Sequence, residues 1–496
     1  MDKVLRGKSP WGIAMALFLV ACGIKGYYLA QQHYHILFSD EVPGSYNLAE
    51  TFGLREILGR LFFACDYTLG SCRPFFANLL YVFTFKGFGY EPQTVLIMGI
   101  LVGSLVVPLF FLVVAALLNV EVAVFASVML MWMTDYVYQS IALTTIMPGI
   151  LFIVGALLAV VRYHQRGGVG YLYLSGWLIS MSVFCRYENA LLLPAFAGYE
   201  LLFDKKGGFF SQIVYVLLCA SSSLYILCCN IRLYGDPFYM IQAQVVGAIQ
   251  CGNVPAASMT KVLERVWKML SILLSPLWWG VAVAGMILMI KRYKFRALWF
   301  FFGVFVFLFV LTLKTKMGTL DFCESYFFLL ALIALPLGLE FVRALFVGLG
   351  RRRACGVIAL GVVALYFVAP FHRANVRELH GRWYYSPKLT RLTEALKEIP
   401  PTSVLYIDNV LNRPGFNIPD VLLYLRRNPQ KYMSGFGGKE PSEKEYYLLT
   451  FENQIGSVPQ GEAVKVRDYR AYGYDGLALY RVTTPRTGNG KRDAFS

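Results

Sequence analysis

QTVLIMGILVGSLVVPLFFLVVAAL, Gln93 to Leu117, contains no charged residue and exceeds the ~20 apolar residues a helix needs to cross a bilayer. Comparable runs recur from Trp11 to about Phe371. They predict spans near 11–37, 93–117, 119–137, 141–161, 170–185, 189–203, 209–230, 271–290, 297–313, 325–346 and 354–371. Over the 496 residues, 57% are hydrophobic, 16% aromatic and 15% charged, where an ordinary soluble domain carries about 25% charged. These values exclude a disordered chain and a small disulfide scaffold. They define a polytopic α-helical membrane protein with about eleven transmembrane helices.

Charge orients the spans. Lys3, Arg6 and Lys8 precede the first run, and no small-residue cleavage site follows it, so the expectation is a retained first helix with a cytoplasmic N-terminus. Eleven crossings then place Arg162/Arg166, Lys205/Lys206, Lys291/Arg292/Lys294/Arg296 and Arg351/Arg352/Arg353 in short cytoplasmic turns, as the positive-inside rule requires. The formal charge of +16 is therefore topological. No nucleic-acid-binding motif accompanies it. Cys22, Cys185, Cys219, Cys228 and Cys229 lie in apolar runs and read as small buried hydrophobes. Cys65, Cys72, Cys251 and Cys323 fall in external loops, where disulfides are open but their connectivity is not deducible.

The expected organisation is a membrane domain over 1–371, with long external loops at 38–92 and 231–270. A small extracytoplasmic α/β domain follows over 372–482, then a disordered tail over 483–496. Tyr46–Leu58 and Leu61–Tyr67 read as amphipathic surface helices. In the C-terminal domain, Ser403–Ile407, Tyr446–Phe451 and Leu477–Val482 read as strands, and Arg391–Ile399 and Asp420–Arg427 as helices. The pattern contains no internal repeat, no broken-helix pair in corresponding halves and no phosphate-cradling Gly-rich loop.

Charges within or beside spans cost a few kcal/mol each, which makes them candidates for function. Asp40 and Glu41 sit where the first helix should leave the membrane. They read either as a solvated loop start or as a catalytic carboxylate whose pKa the low-dielectric boundary raises. Arg186-Tyr187-Glu188-Asn189 interrupts an apolar stretch from Tyr171 to Phe203. This is either a hairpin tip with a structural Arg–Glu pair or a fixed guanidinium facing a cavity, where its planar fork suits a phosphate. Lys314, Lys316, Asp321 and Glu324 precede Ser325-Tyr326 in an external loop. The two lysines oppose the positive-inside pattern, and either salt bridges or an anionic lipid headgroup would offset them. Arg73, Asp135 and Asp236 are further single polar residues. His33 and His35 lack companions for a metal site.

Together these residues resemble the GT-C superfamily of polytopic glycosyltransferases, in particular the group holding protein O-mannosyltransferases and the lipid A aminoarabinose transferases. Asp40-Glu41 occupies the place of that family's acidic pair after the first helix. Asn47–Glu50, Cys72–Phe76 and Phe85–Tyr90 look similar in order and spacing to its first external loop. Arg186-Tyr187-Glu188 matches its Arg-Tyr-Glu segment, and Leu233–Phe238 its Tyr-Gly-Asp-Pro loop opening. Two departures stand out. Phe75 replaces the second proline of the usual Pro-Pro, and Glu324-Ser325-Tyr326 stands where Arg-Tyr is common.

The resemblance implies transfer of a sugar from a polyprenyl-phosphate donor to an extracytoplasmic lipid, glycan or protein acceptor, by inverting in-line displacement. Asp40 would take the acceptor proton and Glu41 would fix the geometry. Arg186, with Lys314 and Lys316 in reserve, would hold the departing phosphate, and Arg73, Asp135, Tyr187, Glu188, Glu324 and Tyr326 would support the site. No cofactor is required, although Asp40, Glu41 and Glu188 could supply oxygens to a divalent cation. The implied setting is a bacterial inner membrane, with active site and C-terminus on the periplasmic face. The competing class is a transporter or flippase of a lipid-linked or anionic substrate, which should carry charges and discontinuous helices near the midplane.

Overall fold

A computed structural model of the chain describes residues 10–30, 52–65, 75–89, 92–203, 208–239, 258–293, 328–348, 353–382, 403–408, 431–432, 445–452, 462–469 and 476–483, plus a few isolated positions. Two compact units emerge, one of residues 1–31 and 51–379, the other of 32–50 and 380–496.

The first unit is helical. Its elements are α1 (Pro10–Ala30), α2 (Leu54–Phe63), α3 (Phe75–Phe88), α4 (Pro92–Leu117), α5 (Val120–Trp132), α6 (Thr134–Ile141), α7 (Ile146–Arg166) and α8 (Val169–Val183). A 3-10 turn over Tyr187–Leu192 leads into α9 (Leu193–Phe203), and α10 (Phe209–Tyr234), α11 (Met259–Leu273), α12 (Pro276–Tyr293), α13 (Phe328–Gly348) and α14 (Arg353–Arg382) follow. Among the described residues, six helices are long and apolar enough to cross a membrane, or up to eight if each of two bent pairs counts as one span. The quoted run is the central helix α4, which packs on α1, α5, α6 and α7. Its apolar window is 56% buried, against 17% for the peripheral α14.

Several expected spans take a different form. The span near 119–137 is broken: Met133 adopts an extended ψ of 123°, and α5 and α6 meet at a 64° bend. The single continuous span expected there is corrected to two helices. The span near 189–203 is a 3-10 turn followed by a helix of 11 residues. The run near 297–313 lies largely outside the described residues. The loop expected over 38–92 contains α2 and α3, and the one expected over 231–270 contains most of α11, which meets α12 at 91°. The α11 sequence MTKVLERVWKMLSIL buries Val262 and Val266 and exposes Lys261, Glu264, Arg265 and Lys268. That one-sided pattern suits a surface helix and does not suit a span.

Polar pairs join turns that the charge pattern groups together. The buried carboxylate of Glu340 accepts from Arg343 Nε at 2.8 Å and Nη2 at 2.7 Å, and from Asn119 Nδ2 at 3.1 Å. Arg292 Nη1 lies 3.6 Å away. His164 and buried Glu200 meet at 2.9 Å between the last turn of α7 and α9. Asn119 also caps α5, accepting from Val122 N at 2.9 Å.

Small residues set the closest helix approaches. A Cβ at Gly103 would lie 2.4 Å from Ser140 Oγ, which brings α6 against α4. A Cβ at Gly285 would lie 2.1 Å from the Leu337 carbonyl oxygen, which brings α12 against α13. Gly285→Ala therefore has to separate two backbones, an overpacking cost of about 1–3 kcal/mol or more. Gly280→Ala, one turn earlier with nothing within 4 Å, should be neutral or slightly stabilising. Thermal unfolding of the two variants in the same detergent checks this, with a clear loss of Tm expected for Gly285→Ala alone.

The second unit contains a five-stranded sheet in the order β2-β1-β3-β5-β4. The strands are β1 (Leu405–Asp408), β2 (Lys431–Tyr432), β3 (Glu445–Phe451), β4 (Glu462–Asp468) and β5 (Leu477–Thr483). β1 runs parallel to β2 and β3, while β3/β5 and β4/β5 are antiparallel. Tyr406, Tyr446, Leu448, Ala478, Tyr480 and Val482 form its core. Sequence reasoning found β1, β3 and β5 but missed the two-residue β2 and the longer β4. That strand pairs with β5 and leaves Val464 and Val466 59% and 52% exposed, so it carries no apolar face to detect. Helices expected at 391–399 and 420–427 fall on residues that are almost all outside the described set. The Arg481 guanidinium hydrogen-bonds Glu445 and lowers its carboxyl pKa. That pairing favours the folded sheet at neutral pH, and its contribution is lost as pH falls through the lowered pKa.

Candidate active site

The site forms where α8 stops. The Ser182 carbonyl accepts from Cys185 N and Arg186 N, each at 3.1 Å, and from Asn189 Nδ2 at 2.9 Å. Three donors on one oxygen end the helix and turn the chain. Arg186 takes an extended conformation (φ −154°, ψ 128°), and its carbonyl accepts from Asn189 N at 3.1 Å to start the 3-10 turn. The turn seats against α7 at Gly149, where a Cβ would approach Asn189 Nδ2 to 3.1 Å and Cys185 Cβ to 3.4 Å. From the other side, Phe76 N donates to the Phe184 carbonyl at 3.1 Å. The Phe75 and Phe184 rings lie 4.4 Å apart, and Phe184 reaches Tyr225 of α10 at 5.7 Å. Residues from α3, α7, α8 and α10 thus fix one short polar turn.

Arg186 and Glu188 lie within that turn. Arg186 Nε is 3.6 Å from Glu188 Oε2, with side chains only 10% and 12% exposed. A charge pair this sheltered from water interacts through a lower effective dielectric than a surface pair. Tyr187 lies between them, and its hydroxyl oxygen is buried. Asp135 stands apart in the first turn of α6, where it is buried and accepts from Gln139 Nε2 at 3.1 Å. Asp40, Glu41, Arg73, Lys314, Lys316, Glu324 and Tyr326 lie outside the described residues. Of the residues singled out from sequence, the structure therefore places Arg186, Tyr187 and Glu188 together and Asp135 on a separate element. Among the described residues, no group of three or more His, Cys, Asp and Glu gathers as metal ligands would.

Sequence reasoning passed over Lys25. It lies inside α1, only 1% exposed, with Nζ donating to Ser104 Oγ at 3.2 Å and Tyr136 OH at 3.3 Å. The ammonium also sits 4.3 Å from the Tyr136 ring centroid. Its signal was available, since a lone lysine within an apolar helix is itself a costly intramembrane charge. Nearby, Tyr28 OH meets His372 Nδ1 at 2.8 Å, which joins α1 to α14. The Leu233–Phe238 segment forms a tight turn: Gly235 takes φ 71°, and Phe238 N donates to Asp236 Oδ1 at 2.8 Å. Cys228, expected to be buried, is exposed on α10 beside buried Cys229.

The fold is shared with the solved structures below, and at the level of fold the resemblance read from the sequence stands. Residues 72–229, about a third of the chain, match the family model described as dolichyl-phosphate-mannose-protein mannosyltransferase. That match contains the Arg186 turn, α3, α7, α8 and α10 as far as Cys229. ArnT from Cupriavidus metallidurans bound to undecaprenyl phosphate aligns over 95% of this chain and 97% of its own, with 13% identity and a TM-score of 0.56. Its apo state aligns over 96% and 98%, with 14% identity and a TM-score of 0.55. The apo oligosaccharyltransferase of Archaeoglobus fulgidus aligns over 91% of this chain and 70% of its own, with 11% identity and a TM-score of 0.50. No curated protein matches in sequence.

Proposed function

We propose that the protein is a membrane glycosyltransferase that moves a sugar from a polyprenyl-phosphate donor to an acceptor on the extracytoplasmic side. One observation carries the reading. The segment matching the mannosyltransferase model folds into a turn that holds Arg186 almost wholly out of water, on a chain whose fold aligns end to end with a protein bound to undecaprenyl phosphate.

The donor's tail lies between helices, with its phosphate against Arg186. Glu188 engages Arg186 at Nε and so orients the guanidinium, whose fork is suited to two hydrogen bonds with a phosphate. As the anomeric bond breaks, charge grows on the departing phosphate and Arg186 stabilises it in place. Asp40 accepts the acceptor's proton as its oxygen or nitrogen attacks the anomeric carbon from the opposite face, which inverts the configuration. Glu41 positions Asp40 or the acceptor. Lys314, Lys316, Arg73, Asp135, Tyr187, Glu324 and Tyr326 support the donor and the cavity. No cofactor enters this scheme. The proposed setting is a bacterial inner membrane, with the site and the C-terminal domain on the periplasmic face.

The test uses purified protein in nanodiscs with a panel of radiolabelled polyprenyl-phosphate sugars and a cell-envelope extract as acceptor source. Sugar-dependent release of polyprenyl phosphate is expected for one donor. Folded protein that releases nothing from any donor would overturn the assignment in favour of transport.

A further inference from the structure

Three residues on one face of α10 meet the end of α2. Tyr225, Cys229 and Arg232 follow the i, i+4, i+7 spacing that lines up side chains along a helix. The Tyr225 hydroxyl donates to the Leu61 carbonyl at 2.5 Å, and Arg232 Nη1 lies 3.7 Å from Cys65 Sγ. Between them on the same helix face stands Cys229, so the two contacts that bracket it bring it toward Cys65, and both cysteines are free thiols. Both sulfurs are sheltered, with Cys65 8% and Cys229 2% exposed. Cys65 is also held at φ 57°, a left-handed conformation that a residue with a side chain rarely adopts unless its surroundings impose it.

We propose that Cys65 and Cys229 are the two halves of a disulfide that clamps α2, in the first external loop, onto α10. The inference rests on the reading that this end of the bundle faces an oxidising extracytoplasmic compartment. Cys65, at the loop end of α2, is the more exposed of the two residues and meets the oxidant first. The Cys65 thiolate attacks the disulfide of an oxidant, a protein or small-molecule disulfide, and displaces one of its sulfurs as a thiolate. Cys229 then attacks the mixed disulfide at Cys65 and releases the oxidant as a dithiol. The net change is loss of two protons and two electrons from the cysteine pair to the oxidant. Tyr225 packs on Phe184, two residues before Arg186, so the clamp fixes the first external loop beside the proposed phosphate site.

The experiment isolates the full chain from membranes, alkylates it with N-ethylmaleimide under denaturing conditions without reductant, and maps its peptides. The expected product is a linked pair containing Cys65 and Cys229, with Cys228 alkylated. The pair should vanish on reduction and in Cys229→Ser. Reductant should lower the Tm of the wild type but leave Cys65→Ser/Cys229→Ser unchanged. Recovery of Cys65 and Cys229 as two alkylated thiols, or of Cys65 bonded to another cysteine, would overturn the proposal. A second measurement separates this from the orientation. Phe238→Cys, at an exposed position in the turn after α10, is tested with a membrane-impermeant maleimide on intact cells. Labelling there with free Cys65 and Cys229 removes the disulfide and leaves the proposed function standing. Labelling only after permeabilisation removes the orientation and the proposal together.

Discussion

Arg186→Ala lowers kcat/KM for polyprenyl-phosphate release by about 10²–10³-fold, the usual cost of deleting one preorganised donor from the site of developing charge. The effect should fall on chemistry and donor use more than on folding. The anchors of the turn are backbone and Asn189 bonds to the Ser182 carbonyl, and the Arg186 amide still donates when its side chain is truncated. The variant also removes the cation 3.6 Å from Glu188, whose side chain is 12% exposed. Arg186→Lys keeps the charge but loses the planar fork and should fall between the two. Arg162→Ala is the control. Its Nη1 meets Gln165 at 3.5 Å in the last turns of α7, the opposite end of that helix from Gly149. Equal losses in Arg186→Ala and Arg162→Ala would refute a phosphate role for Arg186.

Asp40→Asn abolishes turnover to a comparable or greater degree, about 10²–10⁴-fold, because an amide of the same shape cannot accept the acceptor's proton. The pH dependence distinguishes this from a packing defect. A general base works deprotonated, so wild-type kcat/KM should fall as pH drops through the carboxyl pKa. Asp40→Asn should lack that acidic limb and stay low throughout. Donor binding, followed separately by protection of the Tm, should persist in the variant. Wild-type turnover by Asp40→Asn would remove Asp40 from the mechanism and shift attention to Glu41.

The legibility of these two residues differs for a physical reason. Asp40 and Glu41 are recognised by sequence order alone, as acids immediately after a predicted span. The Arg186 turn is recognised twice: once as a charge inside an apolar stretch, and again as the point where α3, α7, α8 and α10 converge. Helix α3 was hidden from sequence reasoning. FFANLLYVFTFKGF is too short for a span and too apolar for a surface helix, and it makes sense only once Phe75 and Phe76 are seen against Phe184 and Phe152. Lys25 was hidden because a single charge near a helix end can be read as interfacial. Its burial depends on Ser104 and Tyr136, which lie 79 and 111 residues away.

Hydropathy is a local, additive property, so the sequence by itself determined the membrane class and the positions of the long spans such as Gln93–Leu117. Charge in the turns likewise determined the expected orientation, because insertion responds to each loop in order. What only the tertiary structure decided is how those helices rotate and approach one another. It brought Gly285 against Leu337, broke a span at Met133 and set Arg232 against Cys65. These outcomes depend on backbone contacts between residues far apart in the chain, and neither composition nor periodicity encodes which face of one helix meets which face of another.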